Sequence, residues 1–124
     1  MISKKQIKEL DDLHREITMK RNQYCIITMN YPSTPDRKER IDATDRHHVF
    51  GRAYSVRWLI ENGQGLHRYN HNHTPEMHQK CKELFIQRWG LEKWDELNSL
   101  SNQPCPRVDY EEIKDYLTEQ LDMV

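Results

Sequence analysis

The sequence has few of the residues that build a large core. Its 124 residues include only two phenylalanines and four glycines, and hydrophobic residues make up 35% of the chain against 31% charged. No apolar run approaches the roughly 20 residues that span a bilayer, and the first ten residues lack the apolar stretch of a secretion signal. We therefore expect one cytoplasmic domain over residues 1–124, with no membrane partner.

Cysteine is also scarce. Cys25, Cys81 and Cys105 are odd in number, widely spaced and without a CxxC pair. Such a set excludes a disulfide framework and a four-cysteine zinc site. Three reduced and mostly buried thiols are the expected state.

Charge is unevenly distributed although the formal net charge is only -1. Residues 1–94 carry 17 basic and 12 acidic side chains, a net +5, and residues 95–124 carry 2 and 8, a net -6. A basic body fits a protein that touches a phosphate backbone, and it fits an ordinary solvated surface equally well. The acidic C-terminal segment could dock on a partner, mediate dimerisation or cover the basic side.

The N-terminal part combines a helix signal with strand signals. Ser3 and Gln6 form a capping-box pattern, and the apolar stripe that follows predicts a helix over residues 3–21. Residues 24–29 are a short apolar run rich in β-forming residues, typical of a strand, and the proline-containing segment after them predicts a loop. Residues 41–66 combine β-forming residues with three glycines, which indicates a small hairpin.

The C-terminal part carries helix signals throughout. A threonine-proline-glutamate run at residues 74–76 is a helix start, and this helix should end at Gly90. Residues 91–100 predict a further short helix, and Asp109 caps a last one. With so few hydrophobic residues, the core has to come from the apolar stripes of helices, so we expect a mostly helical protein.

Histidine is concentrated in one stretch, since six of the seven histidines fall between residues 47 and 78. Neutral imidazoles bind divalent metals, and a histidine that titrates near neutrality can take a proton from water. A histidine-rich patch with a nearby carboxylate therefore favours metal-assisted hydrolysis. A surface with several histidines that bind nothing is the alternative.

The spacing within this patch is similar to a known motif. Asn62 lies fourteen residues after His48, and His71 lies nine after Asn62, across DRHHVFGR, ENGQGL and HRYNHNH. This order resembles the HNH, or ββα-metal, nuclease motif. The resemblance implies an α+β fold in which a small β-hairpin plus a helix form the metal core.

The resemblance also implies how the chain is divided. Residues 24–90 would hold the ββα-metal core. An N-terminal helix within residues 1–23 and acidic C-terminal helices within residues 91–124 would flank it.

Carried over position by position, the resemblance implies a role for each residue of the motif. His48 would be the general base, and Asn62 would brace the loop that carries it. His47, His71 and Asp45 would bind one divalent cation, Mg²⁺ first, with Mn²⁺, Ni²⁺ or Zn²⁺ as alternatives.

Strand geometry limits this assignment. Regular alternation would send His47 and His48 to opposite faces, so both can serve one site only if the strand bends or ends there. Gly51, just beyond the pair, favours such an ending. His73 is expected beside the metal as the partner of a ligand.

Arginines are the expected phosphate contacts, because a guanidinium matches phosphate oxygens in a bidentate way. The four that accompany the motif are Arg46, Arg52, Arg57 and Arg68. As alternatives, Arg46 and Arg68 could be solvated, and Arg57 could pair with Glu61 at a four-residue spacing. Trp58 is expected in the core.

A closer resemblance covers about residues 25–90. The pair RW with N after three further residues, and then FIQRWG near a helix end, is similar to the NinG/Rap recombination nucleases of lambdoid phages. Those proteins resolve Holliday junctions and related branched DNA. The implied function is a metal-dependent DNA endonuclease that acts on branched or recombination intermediates.

The chain departs from these relatives at their zinc-binding cysteine pairs. Thr28 stands where a CxxC pair from Cys25 would need a thiol, and His67 and Asn70 occupy the places of the second pair. A structural zinc is therefore not expected, and helix packing must hold the motif.

Two alternatives from other classes remain. A non-catalytic DNA-binding or phage assembly protein could retain an HNH-like fold without cleavage. A metal-binding protein could act without nucleic acid. Cleavage of junctions would favour a homodimer, in which two sites address two strands.

Overall fold

The computed structural model describes residues 2–30, 42–68, 70–71, 74–105 and 107–124. Within these residues, five α-helices, one 3₁₀ turn and one two-stranded antiparallel sheet form a mostly helical α+β fold, as predicted. In chain order the elements are α1 (Lys4–Arg21), α2 (Ile26–Asn30), β1 (Asp45–His48), the 3₁₀ turn Ile60–Asn62, β2 (Gly63–Leu66), α3 (Pro75–Trp89), α4 (Leu91–Ser101) and α5 (Tyr110–Asp122). None of the described helices has the length and apolar character needed to cross a membrane.

Three helix starts follow from side-chain caps that the sequence predicts. Ser3 Oγ accepts from the Gln6 backbone N–H at 3.1 Å, and Gln6 Oε1 accepts from the Ser3 N–H at 3.0 Å. Thr74 and Asp109 cap α3 and α5 with bonds of 3.2 and 3.1 Å to the N–H group three residues on. Because these bonds satisfy N–H groups that have no partner within the helix, the boundaries are set locally.

One predicted strand is wrong. Of residues 24–29, Tyr24 forms an isolated bridge with Asp42, and the chain then enters α2. An apolar run of this length can be buried as a strand or as a helix, and its periodicity does not distinguish the two. Here Ile27 packs as part of a helix against β2 and α3. The predicted loop that follows lies outside the described residues.

Three groups of buried side chains hold the helices around the hairpin. The first joins α2, β2 and α3 around Leu66. The second joins α3, α4 and the segment after β1 around Phe85, and the third joins α1 and α5 around Leu117. Trp58 is 3% exposed and belongs to the third group, so its predicted place in the core is confirmed.

The acidic last helix packs on α1. Its Leu117 is fully buried, and Lys114 Nζ lies 2.9 Å from Glu9 Oε1 of α1. Tyr116 Oη accepts from the Ile60 backbone N–H at 3.1 Å. The apolar stripe of α5 is therefore covered within the chain, and only its outer face is available to a partner.

The hairpin lies between α1 and α3. Asp45 pairs with Leu66 and His48 pairs with Gly63. On one face, Gln64 Nε2 donates to the Cys81 carbonyl of α3 at 3.0 Å. On the other face α1 approaches so closely that a Cβ on Gly63 would overlap Thr18 Oγ1. A residue without a side chain is required at this point of contact.

We expect Gly63→Ala to lower the free energy of unfolding by about 1–3 kcal/mol, because the added methyl group overpacks the contact with α1. Rotation of the Thr18 side chain would not relieve the overlap without a loss of stability. Thr18 is fully buried, and its Oγ1 donates to the His14 carbonyl at 3.0 Å. Thr18→Ala should recover part of the loss in the double variant. Urea unfolding of the four proteins measures this, and strictly additive losses would contradict the contact.

Candidate functional site

The predicted site residues lie on two faces of the hairpin. β1 stays paired with β2 through His48, so its side chains alternate in the regular way. Asp45 and His47 therefore share the face toward α3, while Arg46 and His48 share the face toward α1. The bend that would bring both histidines to one site does not occur.

Three of the predicted residues meet on the α3 side. The rings of His47 and His71 are in edge-to-face contact with centroids 5.1 Å apart, and His47 is 9% exposed. His71 Nδ1 lies 3.2 Å from Asp45 Oδ2. An ionised carboxylate can only accept a hydrogen bond, so Nδ1 carries the proton and the Asp45 carboxylate orients the His71 ring.

This arrangement changes the expected role of Asp45. A carboxylate that accepts from the far nitrogen of a metal-binding histidine orients the ring instead of binding the ion. Among the described residues, no three histidine, cysteine, aspartate or glutamate side chains are placed to hold a metal ion. The side chains that could bind a metal ion here are therefore those of His47 and His71, and Asp45 orients the His71 ring. His73, the expected neighbour of the metal, lies outside the described residues.

The α1 side brings together a second pair of imidazoles. His48 stacks on His14 of α1 with centroids 5.4 Å apart and the ring planes 5° from parallel. Its Nε2 atom is buried and has no hydrogen-bond partner among the described residues. Burial first, and then the charge of Arg46, lower the pKa of His48 to about 3. Strand alternation therefore places His48 and His47 on opposite faces of β1, without the bend that one shared site would require.

His14 is held in one tautomer. Its Nε2 lies 2.8 Å from the Leu59 carbonyl, which can only accept, so Nε2 carries the proton. Its Nδ1 then accepts from Arg46 Nη1 at 3.2 Å. Burial lowers the pKa of His14 to about 4, and the ring is neutral at pH 7. Its position on the apolar stripe of the first helix was the signal in the sequence for this burial.

Asp11 binds Arg46 and Arg57, two of the four arginines that are expected to contact phosphate. Its carboxylate accepts from Arg57 Nε at 3.0 Å and Nη2 at 2.7 Å, and from Trp58 Nε1 at 2.9 Å. Its backbone carbonyl accepts from Arg46 Nη1 at 2.7 Å. Arg57 therefore pairs with Asp11, and not with Glu61 as the alternative had it. Burial by itself would raise the pKa of Asp11, but the hydrogen bonds and charge of Arg57 outweigh burial and lower it.

The other two arginines remain at the surface. Arg52 and Arg68 are exposed, and neither side chain forms a hydrogen bond or ion pair within the described residues. Arg68 is anchored through its backbone N–H, which donates to Thr44 Oγ1 at 3.0 Å. These two guanidinium groups are available to an approaching anion.

Asn62 holds the turn that follows β1. It is fully buried, and its Oδ1 accepts from the Phe50 backbone N–H at 2.7 Å. Its Nδ2 donates to the carbonyls of Gly51 at 3.0 Å and Val56 at 3.1 Å. Gly51 has a φ of 80°, in the left-handed region that favours glycine. The amide therefore braces the segment after His48, as the resemblance implies.

A side-chain amide contacts the buried thiol of Cys25. Asn70 Nδ2 donates to Cys25 Sγ at 3.4 Å, which joins the two segments for which the resemblance to NinG/Rap nucleases implies cysteine pairs. Cys25 and Cys81 are buried, as expected, and Cys105 is exposed. Burial raises the pKa of Cys81 to about 11, so this thiol is protonated at neutral pH.

Comparison of the chain with family models, with curated proteins and with solved structures finds no match.

We expect the stability of the protein to fall between pH 7 and pH 5 because of His14. Its folded pKa of about 4 lies below the ordinary value of 6.5, so in this range only the unfolded chain takes up a proton. Linkage then predicts a loss of about 2 kcal/mol from His14. Urea unfolding at both pH values measures the loss, which should be smaller in His14→Gln. An NMR titration of His14 with a midpoint near 6.5 would contradict the assignment.

Proposed function

We propose that this protein is a metal-dependent DNA endonuclease of the HNH type, which hydrolyses phosphodiester bonds in branched or recombination intermediates. The observation that carries the proposal is the contact of His47 in β1 with His71, which follows the hairpin. This pairing joins residues 24 positions apart, at the positions that the motif implies. Asn62 braces the turn between the two strands. The hairpin is followed by α3, so the order of elements also fits.

His47 and His71 would hold the cation, with Asp45 keeping the His71 ring in place. When bound, a divalent cation polarises the phosphate and stabilises the charge on the leaving oxygen. Two imidazoles suit Mn²⁺, Ni²⁺ or Zn²⁺ better than Mg²⁺, which prefers oxygen ligands. Mg²⁺ remains the ion implied by the resemblance.

His48 would accept the proton of the attacking water. Its ring is uncharged at neutral pH, so a lone pair exists, but a pKa of about 3 makes it a weak base. Its Nε2 is also buried beside His14. Base catalysis by His48 at this cation therefore requires two changes when DNA binds: the stack of His48 on His14 opens, and the end of β1 bends toward the face of His47 and His71.

Arg52 and Arg68 would contact the phosphate backbone, since both are exposed. Arg46 and Arg57 would act indirectly, because their contacts with Asp11 and His14 shape the α1 side of the hairpin. A homodimer would present two sites to the two strands of a junction. The three free cysteines fit a reducing, cytoplasmic location.

A second candidate function is non-catalytic binding of DNA. The specific observation in its favour is the same stack of His48 on His14, which keeps Nε2 of the expected base away from solvent. In this case the HNH-like arrangement would serve only as a scaffold for the exposed arginines.

We expect Mn²⁺ or Zn²⁺ to bind at one site, and His47→Ala and His71→Ala to abolish that binding. Asp45→Asn should weaken it by about 10- to 100-fold, since the carboxylate only orients a ligand. Calorimetric titration measures the affinities. His78→Ala is the matched control, because His78 is an exposed histidine of α3. Equal affinity in all five proteins would contradict the metal site.

We expect the protein to cleave DNA in the presence of Mn²⁺ or Mg²⁺, and His48→Ala to slow cleavage by about 10²–10⁴-fold with DNA affinity unchanged. A panel of four-way junctions, flaps, plain duplex and single strands identifies the substrate. Thermal unfolding confirms that the variant is folded. Absence of cleavage by the unaltered protein, or parallel loss of cleavage and binding in the variant, would favour the second candidate.

A further inference from the structure

A cavity of ≈ 300 Å³ lies next to the hairpin. It is formed by the C-terminal ends of α1 and α3, by α2 and by the start of β2. The residues that matter for its chemistry are Arg21, Gln64, Leu84, Phe85, Arg88 and Trp89. Gln64 stands opposite His47 in the hairpin register, so the cavity adjoins the candidate metal site.

Gln64 leaves an unused acceptor at this cavity. It is 6% exposed, and its Nε2 donates to the Cys81 carbonyl at 3.0 Å. Because a carbonyl can only accept, the amide nitrogen must point to Cys81, and Oε1 is the remaining atom. Oε1 is buried and finds no hydrogen-bond partner in the part of the chain that the structure describes. A buried amide oxygen in this state costs free energy until a donor reaches it.

Arg21 leaves an unused donor at the same cavity. Its Nη2 donates to the carbonyls of Ile60 at 3.1 Å and Gly63 at 2.6 Å. Its Nη1 is buried, and no described residue accepts a hydrogen bond from it. Because both atoms are buried, an occupant reaches them only when the two side chains turn into the cavity, and it then has to present one acceptor and one donor.

Two arginines carry the positive charge at the cavity, with Arg21 inside it and Arg88 at its rim. Arg88 is exposed, and the guanidinium carbons of Arg21 and Arg88 lie 5.4 and 5.0 Å from the Trp89 ring centroid. Neither arginine forms an ion pair within the described residues. The charge of Arg21 is offset by Glu61 and by the partial negative charge at the C-terminal ends of α1 and α3. The charge that remains uncompensated is that of Arg88 at the rim.

We propose that this cavity binds a nucleotide, with the base inside and the phosphate at Arg88. A nucleobase is planar, suits the apolar walls at Leu84 and Phe85, and carries acceptor and donor groups on one edge. The volume is at the lower end of the range for ligand pockets, about 300–1,000 Å³, and admits a single base. The proposal does not depend on nuclease activity. The nucleotide comes from free solution or from an unpaired position in a DNA strand.

Calorimetric titration with the nucleoside monophosphates, the matching nucleosides and inorganic phosphate tests the proposal. At least one monophosphate should bind, and its nucleoside should bind about 10- to 100-fold more weakly, because the charge-assisted bond to Arg88 is lost. Arg88→Ala should remove this difference, and Gln64→Leu should weaken both ligands. Arg107→Ala is the matched control, an exposed arginine that does not line the cavity.

The same titration is then carried out with short single strands and with four-way junctions that contain one unpaired base. Tighter binding of the strand than of the monophosphate assigns the nucleotide to DNA, and the reverse assigns it to free solution. Absence of binding by every ligand would overturn the proposal, as would inorganic phosphate binding as tightly as the monophosphates. Unaltered binding in Arg88→Ala would also overturn it, and that test stands even if Gln64→Leu fails to fold, since Arg88 is exposed.

Discussion

The alternation of side chains along β1, enforced by a helix on each face of the hairpin, is the constraint on which the rest of the structure depends. Because β1 stays in register with β2 through His48, its four residues divide between two environments. Asp45 and His47 face the segment before α3, where His71 completes a cluster of two imidazoles and a carboxylate. Arg46 and His48 face α1, where the nearest partners are His14 and Asp11.

The two environments differ in their protonation chemistry. On the α1 side, burial and neighbouring arginines keep His14 and His48 neutral well below pH 6. Asp11 balances Arg57 there, so the cluster is stable without a ligand. On the α3 side, the carboxylate of Asp45 contacts Nδ1 of His71 and orients its ring. The expected metal ligands and the expected base thus lie on different sides of one strand, so catalysis at one site requires the His48 stack to open and the end of β1 to bend.

The scaffold around these groups is held by buried polar contacts as much as by apolar packing. Asn62 makes three side-chain hydrogen bonds to the turn after β1, so loss of its amide would leave buried backbone groups unpaired. The contact of Asn70 with Cys25 joins the segment before α3 to the segment before α2. The close approach of α1 at Gly63 completes the support, and no covalent cross-link is needed among the described residues.

Features that depend on residues close together in the sequence could be predicted from the sequence alone. The caps at Ser3, Thr74 and Asp109, the hairpin and the bracing role of Asn62 follow from local hydrogen bonding, turn residues and a motif with fixed spacing. The tertiary structure alone decided that residues 26–30 form a helix, since an apolar run adopts whichever form its surroundings bury. It also decided that His48 meets His14 and that Arg57 meets Asp11, 46 residues away. No local pattern encodes such pairs, because they depend on how closely α1 packs on the hairpin.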